Sequence, residues 1–156
     1  MNVPLRAAEC TPGCSVRYQT AGMYERLWVH VVWTTRNRAH LIDLQRASLL
    51  AARLPEIALR ERARIEEIGI VMTHLHLLIR LHPTTLIPRL LQRMKGGSAR
   101  EANQDPTGSR EPLRWAKGYS LTPVSPRSIQ AAVAYIRTQA EHHPREAITG
   151  WEERRR

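Results

Sequence analysis

Residues 73–79 read T-H-L-H-L-L-I, two imidazoles one residue apart inside an apolar run. On a strand, residues two apart share a face and their backbones lie roughly 6–7 Å apart. His74 and His76 then share a face with Leu78 and Arg80, and Leu75, Leu77 and Ile79 share the other. Neutral imidazole is a good metal ligand, and two such rings can converge on one divalent ion. The same pair also fits two partly buried histidines bonded to backbone or water. A second spacing lies near the C-terminus, in S-P-R-S-I-Q-A-A-V-A-Y-I-R-T-Q-A-E-H-H (125–143), where Tyr135 and Gln139 are four apart, one helical turn. A phenol and an amide oxygen stacked this way can point together at whatever the histidines hold. They equally fit a boundary tyrosine beside an exposed glutamine.

The elements that must position these residues follow from periodicity. R-L-W-V-H-V-V-W-T (26–34) is β-branched and aromatic, a strand, and T-R-N-R (35–38) is a basic turn. Asp43 is placed to cap a helix running to about Arg62, with Leu44, Ala47, Leu50, Ala51, Leu54 and Ala58 at helical spacing. Pro55 inside it predicts a kink or two shorter helices. Residues 65–72 and 74–81 read as two strands joined tightly near Thr73. A second helix is expected over 84–102, capped by Thr84 or Thr85, with Gly96-Gly97 loosening its end and exposing backbone N–H groups. A polar loop (103–113) and a short strand (119–124) follow. Ser125-Pro126 then starts a last helix, which reaches His142 or His143 and packs through Ile129, Val133, Ile136 and Ala140. The order β-α-β-β-α-β plus one helix predicts an α+β, ferredoxin-like antiparallel sheet with two helices on one face and an additional C-terminal helix carrying Tyr135. The other sheet face would lie open unless that helix covers part of it.

The chain has 156 residues, 24 of them Lys or Arg, and a formal net charge of +10. Only Lys95 and Lys117 are lysines. One domain is expected over 23–151, with residues 1–22 a disordered tail and 152–156 a frayed basic end. Met23 is the expected true start. The charge favours a polyanionic partner such as nucleic acid. No apolar run approaches the roughly 18 residues of a membrane span, and the first residues lack the apolar core of a secretory signal, so a cytoplasmic protein with no membrane partner is expected. Cys10 and Cys14 fall in the tail and read as idle thiols. Arg36 and Arg38 in the first turn, Lys95, Ser98 and Arg100 around the glycine pair, and Arg114 and Lys117 before the last strand are candidate phosphate contacts. Trp115 can stack a base or pack in the core.

Five stretches in order resemble the single-tyrosine HUH transposases of the smallest insertion sequences and their REP-associated relatives. They are W-V-H-V-V-W-T-T-R-N-R (28–38), T-H-L-H-L-L-I (73–79), R-M-K-G-G-S-A-R-E (93–101), R-W-A-K-G-Y-S-L-T-P-V-S (114–125) and Y-I-R-T-Q-A-E-H-H (135–143). Together they span about residues 24–151. Where family members often carry Pro and Asp or Asn before the first histidine, this chain has Met72-Thr73.

The resemblance implies that Tyr135 is a nucleophile and that His74, His76 and Gln139 bind Mg²⁺ or Mn²⁺. It implies single-stranded or hairpin DNA as substrate and a 5′-phosphotyrosine intermediate in DNA transposition. It also implies a possible homodimer that exchanges the tyrosine helix, although REP-associated members can act alone. Two other readings stay open. One is a non-catalytic, domesticated repeat-DNA or RNA-binding protein; the lack of phenylalanine and of an aromatic strand motif counts against the RNA version. The other is a metal-dependent hydrolase that uses water as its nucleophile.

Overall fold

The structure is a computed structural model that describes residues 27–104 and 111–154. The expected tail, the start at Met23, Cys10, Cys14 and the middle of the polar loop lie outside the described residues. Four antiparallel strands form the sheet: β1 (Leu27–Thr34), β2 (Ala63–Val71), β3 (His74–Leu81) and β4 (Ser120–Val124), in the order β2-β3-β1-β4. The α+β, ferredoxin-like expectation holds. Alternation along each strand divides the sheet into two faces. Val29, Val31 and Trp33 of β1 join Leu75, Leu77 and Ile79 of β3 on the face packed by α1 (Leu44–Arg60) and α2 (Ile87–Gln104).

Asp43 caps α1, its carboxylate accepting the Arg46 N–H at 2.8 Å. Of the kink or two shorter helices expected at Pro55, the two shorter helices are not found: α1 is one helix of 17 residues. Leu50 and Leu54 before the proline and Ala58 after it are all fully buried in the same core, and this unbroken apolar stripe outweighs the lost backbone bond.

The glycine pair also differs from expectation. Helix α2 runs straight through Gly96 and Gly97 to Gln104, carried by Leu90, Leu91, Met94, Ser98 and Ala102, all buried. The pair therefore neither loosens the helix end nor frees its N–H groups. Gly97 lets α1 approach: a Cβ there would lie 3.0 Å from Ile57 Cδ1. No such demand exists at Gly96, where a Cβ would meet nothing within 4 Å. A helix-interior glycine costs about 1 kcal/mol relative to alanine. Nor do Thr84 and Thr85 cap α2. The Thr85 hydroxyl donates to the Arg62 carbonyl at 2.9 Å and accepts the His82 N–H at 3.1 Å, which ties the turn to the end of α1.

The single last helix expected from Ser125 is three pieces: a 3₁₀ turn over Pro126–Ser128, α3 (Ile129–Arg137) and α4 (Gln139–His142). The Ser125 hydroxyl pairs with that of Ser128 at 2.9 Å instead of capping backbone. The break falls at Thr138, whose hydroxyl turns back to the Ala134 and Tyr135 carbonyls at 3.0 and 3.3 Å.

Helix α3 lies across β2 and β3 on the second sheet face and buries Ile136 completely. That face is thus half covered, and Leu78 beneath it is fully buried. Of the end expected to fray, residues 152–154 are helical, and residues 155–156 lie outside the described residues. Residues Trp151–Arg154 form α5, Trp151 is buried against the α1 side of the core, and Arg154 donates to the Ser48 hydroxyl at 3.2 Å. The indole area removed from water outweighs the entropy that would fray a short basic end. Among the described residues no helix is long and apolar enough to cross a membrane.

Candidate functional site

The start of β3, the end of α3 and the first residue of α4 bring His74, His76, Tyr135 and Gln139 together on the half-covered face. His74 and His76 are both buried, with ring centroids 5.1 Å apart. Tyr135 stands edge-on to His76 at 5.7 Å and stays 42% exposed. Gln139 is buried, and its amide N–H donates to the Tyr135 carbonyl at 2.9 Å.

Two features seat α3 here. In the ladder, Gly69 of β2 lies opposite His76, and a Cβ on Gly69 would fall 2.4 Å from the Ile136 carbonyl and 2.8 Å from Gln139 Cγ. Only a glycine permits that approach. Beside it, the nearly buried Glu67 carboxylate accepts from Arg137 Nε at 2.7 Å.

Three further residues complete the site. His143 follows Gln139 by one turn, and its ligand atom lies within 4.8 Å of those of His74 and His76. His30, on the β1 position opposite Leu78, reaches diagonally to His76, its Nε2 2.9 Å from His76 Nδ1. Glu146, in the turn after α4, accepts from the Thr73 hydroxyl at 2.5 Å and lies 3.1 Å from His74 Nδ1. The Thr73 oxygen is also 2.9 Å from His74 Nδ1. None of the three was predicted as a site residue. The adjacent histidines 142–143, three and four residues beyond Gln139, and a lone histidine in an apolar strand were the only signals available.

Burial holds both strand imidazoles neutral. Loss of water, then the neighbouring His143, lowers the pKa of His74 to about 4, against a smaller upward pull from Glu146. Loss of water, then His74 and His30, lowers that of His76 to about 3. A neutral His74 means that its contact with Glu146 is an N–H···O hydrogen bond rather than an ion pair. That bond puts the proton on Nδ1 and the lone pair on Nε2, the usual orientation of a metal-binding imidazole backed by a carboxylate. His76 follows the same logic if His30 Nε2 accepts its Nδ1 proton.

The donor set fits a divalent ion. His76 Nε2 and Gln139 Oε1 are buried polar atoms with no hydrogen-bond partner. Buried polar groups are ordinarily satisfied, so two orphaned acceptors beside a His74–His76–His143 cluster are what a cation would complete. The His74–His76–His143 cluster can therefore hold a metal ion.

The basic candidates divide. Arg36, Arg38 and Arg114 are exposed near the end of β1, at the end of the sheet where β3 begins with His74. Arg36 donates its backbone N–H to the Arg114 carbonyl at 2.7 Å, and Arg38 approaches Glu146 at 3.7 Å. Lys117 and Arg100 are exposed as well. Lys95 and Ser98 turn inward, contrary to a phosphate-facing role. The Lys95 ammonium donates to the carbonyls of Ala116, Lys117 and Gly118 at 2.6, 3.2 and 2.9 Å. Ser98 is fully buried and accepts the Trp115 indole N–H at 3.1 Å. Trp115 is half-buried, edge-to-face with Trp33 at 5.9 Å.

The family described as "Transposase IS200 like" matches residues 23–139. The fold is similar to that of a candidate transposase from Deinococcus radiodurans R1, 25% identical, covering 76% of this chain and 94% of that one with a TM-score of 0.57. It is also similar to a REP-associated tyrosine transposase bound to a REP hairpin, 14% identical, covering 83% of this chain and 75% of that one with a TM-score of 0.58. No curated protein matches this chain. With the family match covering well over half of its length, the chain belongs to the IS200-like transposases.

Proposed function

We propose that this transposase nicks and rejoins single-stranded DNA through Tyr135 at a divalent-metal site formed by His74, His76, His143 and Gln139. The observation that carries the reading is the exposed Tyr135 phenol edge-on to His76, beside two orphaned buried acceptors. In the cleavage step Tyr135 Oη attacks phosphorus. A P–Oη bond forms, the P–O3′ bond breaks, and the products are a 5′-phosphotyrosine and a free 3′-hydroxyl. A second 3′-hydroxyl reverses the step onto a new end, so joining needs no external energy source. A phenol with an ordinary pKa of about 10 is a poor nucleophile at neutral pH. A bound divalent cation supplies charge stabilisation at the scissile phosphate. Imidazole and amide donors are neutral and leave that charge uncancelled. The imidazole-rich set favours Mn²⁺ over Mg²⁺.

Arg36, Arg38, Arg114 and Lys117 line the approach to the histidine end of the sheet and are assigned to phosphate contacts, with Arg100 on the flank of α2. The substrate class is hairpin or repeat DNA, by analogy with the hairpin-bound structural neighbour. Gly69 and the Glu67–Arg137 pair seat α3 on the sheet, a seat that the chain's own helix or one exchanged from a second copy would fill alike.

The test is a covalent-adduct assay with 3′-labelled hairpin oligonucleotides from the flanking genomic sequence and Mn²⁺ or Mg²⁺. Label should remain on the wild-type protein in denaturing gels and be absent from Tyr135→Phe and His76→Ala. Cutting retained by Tyr135→Phe would assign water as the nucleophile. Binding without an adduct would make the chain a repeat-binding protein.

A further inference from the structure

A cavity of about 500 Å³ opens between α2 and the approach to β4, on the other side of the sheet edge from Tyr135. Its volume is within the range of about 300–1,000 Å³ typical of small-molecule sites. Leu91, Gln92, Gly96, Trp115, Lys117 and Tyr119 line it, and no acidic side chain does. The site is built in advance. Lys95 pins the 116–118 wall through three carbonyls, and Ser98 fixes the Trp115 ring by its indole N–H. Tyr119 stands 47% exposed at the mouth.

Gly96 is the second, independent observation. It lies in the middle of a helix, where glycine is unfavourable, and no neighbour comes within 4 Å of where a Cβ would be. Packing explains Gly97 and does not explain Gly96. What Gly96 does is leave the cavity floor bare, as backbone does where a ligand comes close.

Location links the cavity to the chemistry. Trp115 pairs with Thr35, and the Thr35 N–H donates to the Thr73 carbonyl at 2.7 Å, one residue before His74. Arg36, whose N–H donates to the Arg114 carbonyl, follows Thr35 at this same end of the sheet, between the histidine strand and Trp115. Flat aromatic walls, one amide and an exposed lysine suit a base with its phosphate outside.

We propose that this cavity receives one unstacked base of the bound DNA strand, with Tyr119 and Trp115 as stacking surfaces and Gln92 as the group that reads its edge. The inference rests on the DNA-processing reading above. Its test uses the full chain, fluorescence-anisotropy titration with hairpin oligonucleotides carrying a single abasic position at each site in turn, and the adduct assay. Gly96→Ala should raise the melting temperature yet weaken DNA binding, a split that a merely structural glycine would not give. Gly96→Leu and Tyr119→Ala should each lose about tenfold in affinity. One abasic position should cost the wild type the same amount and cost Gly96→Leu nothing further. If Gly96→Leu fails to fold, the exposed Tyr119→Ala carries the same comparison. Wild-type binding and adduct formation with Gly96→Ala and Tyr119→Ala unchanged would overturn the cavity assignment alone. A wild type that binds no oligonucleotide would overturn the DNA reading and this inference with it.

Discussion

His30 Nε2 lies 2.9 Å from His76 Nδ1, and the two rings stack with centroids 5.1 Å apart. The contact fixes the rotation of an imidazole whose other nitrogen is buried without a partner. His30 is therefore a positioning residue. Partners of metal-bound histidines are worth about 10–100-fold in metal affinity. His30→Ala should weaken Mn²⁺ binding by that order, measured by calorimetry, while His30→Gln, which keeps an acceptor within reach, should recover part of the loss. Equal affinities in all three proteins would remove His30 from the site.

Gly69 sets how close α3 comes to the strand that carries His74 and His76. In Gly69→Ala the new Cβ would meet the Ile136 carbonyl, which is backbone and cannot swing aside. Overpacking of this kind costs about 1–3 kcal/mol. The expected outcome is a lower melting temperature and loss of adduct formation, because Tyr135 and Gln139 ride on the displaced segment. Gly97→Ala serves as the control. Its Cβ would meet only the flexible end of Ile57 at 3.0 Å, so adduct yield should stay near wild type.

Two local periods made the placement of four residues legible, and only the family resemblance gave them roles. The two-residue alternation put His74 and His76 on one face, and the helical turn paired Tyr135 with Gln139. The order of elements along the chain followed from the same patterns. What escaped depends on contacts distant in the chain. His30 meets His76 across 46 residues, and in W-V-H-V-V-W it reads as one polar residue in a strand. Glu146 meets Thr73 across 73 residues from a turn with no periodic signal. Ser98 and Lys95 looked like surface groups beside a glycine pair. They turn inward because the loop before β4 folds over α2 and offers them an indole and three carbonyls. Pro55 was a sound local signal overridden by burial on both sides of it.

Acid should destabilise the metal-free protein through these histidines. His74 and His76 have folded-state pKa values of about 4 and 3, below the ordinary 6.5, because burial opposes their charged forms. The unfolded chain thus binds more protons than the folded one, and stability rises with pH across this window. Their contribution is complete above about pH 6.5 and is lost as pH falls toward 4 and 3. Melting temperatures from pH 7 to 4 should fall in the wild type and fall less in His76→Gln. Parallel curves would show that His76 does not control acid stability.

Glu146 joins the C-terminal segment to residues 72–74, the turn before β3 and its first histidine, in three ways. Its carbonyl accepts the Met72 N–H at 2.8 Å, and its carboxylate takes the Thr73 hydroxyl and backs His74. Burial pushes its pKa up, but the Thr73 hydrogen bond and the nearby His74, Arg38 and His143 outweigh this, so the group is held below its ordinary value and stays ionised. The carboxylate orients His74 and adds a negative charge just outside the neutral donors. Glu146→Gln keeps a hydrogen-bond acceptor and removes that charge; Glu146→Ala removes both. Mn²⁺ affinity should fall in the order wild type, Gln, Ala, with the alanine variant losing about 10–100-fold. Melting temperature should fall mainly in Glu146→Ala, where Thr73 loses its partner. If Glu146→Gln matches wild type in affinity while Glu146→Ala does not, orientation of His74 is the whole role and the charge contributes nothing. If both match wild type, Glu146 only ties the C-terminal segment in place.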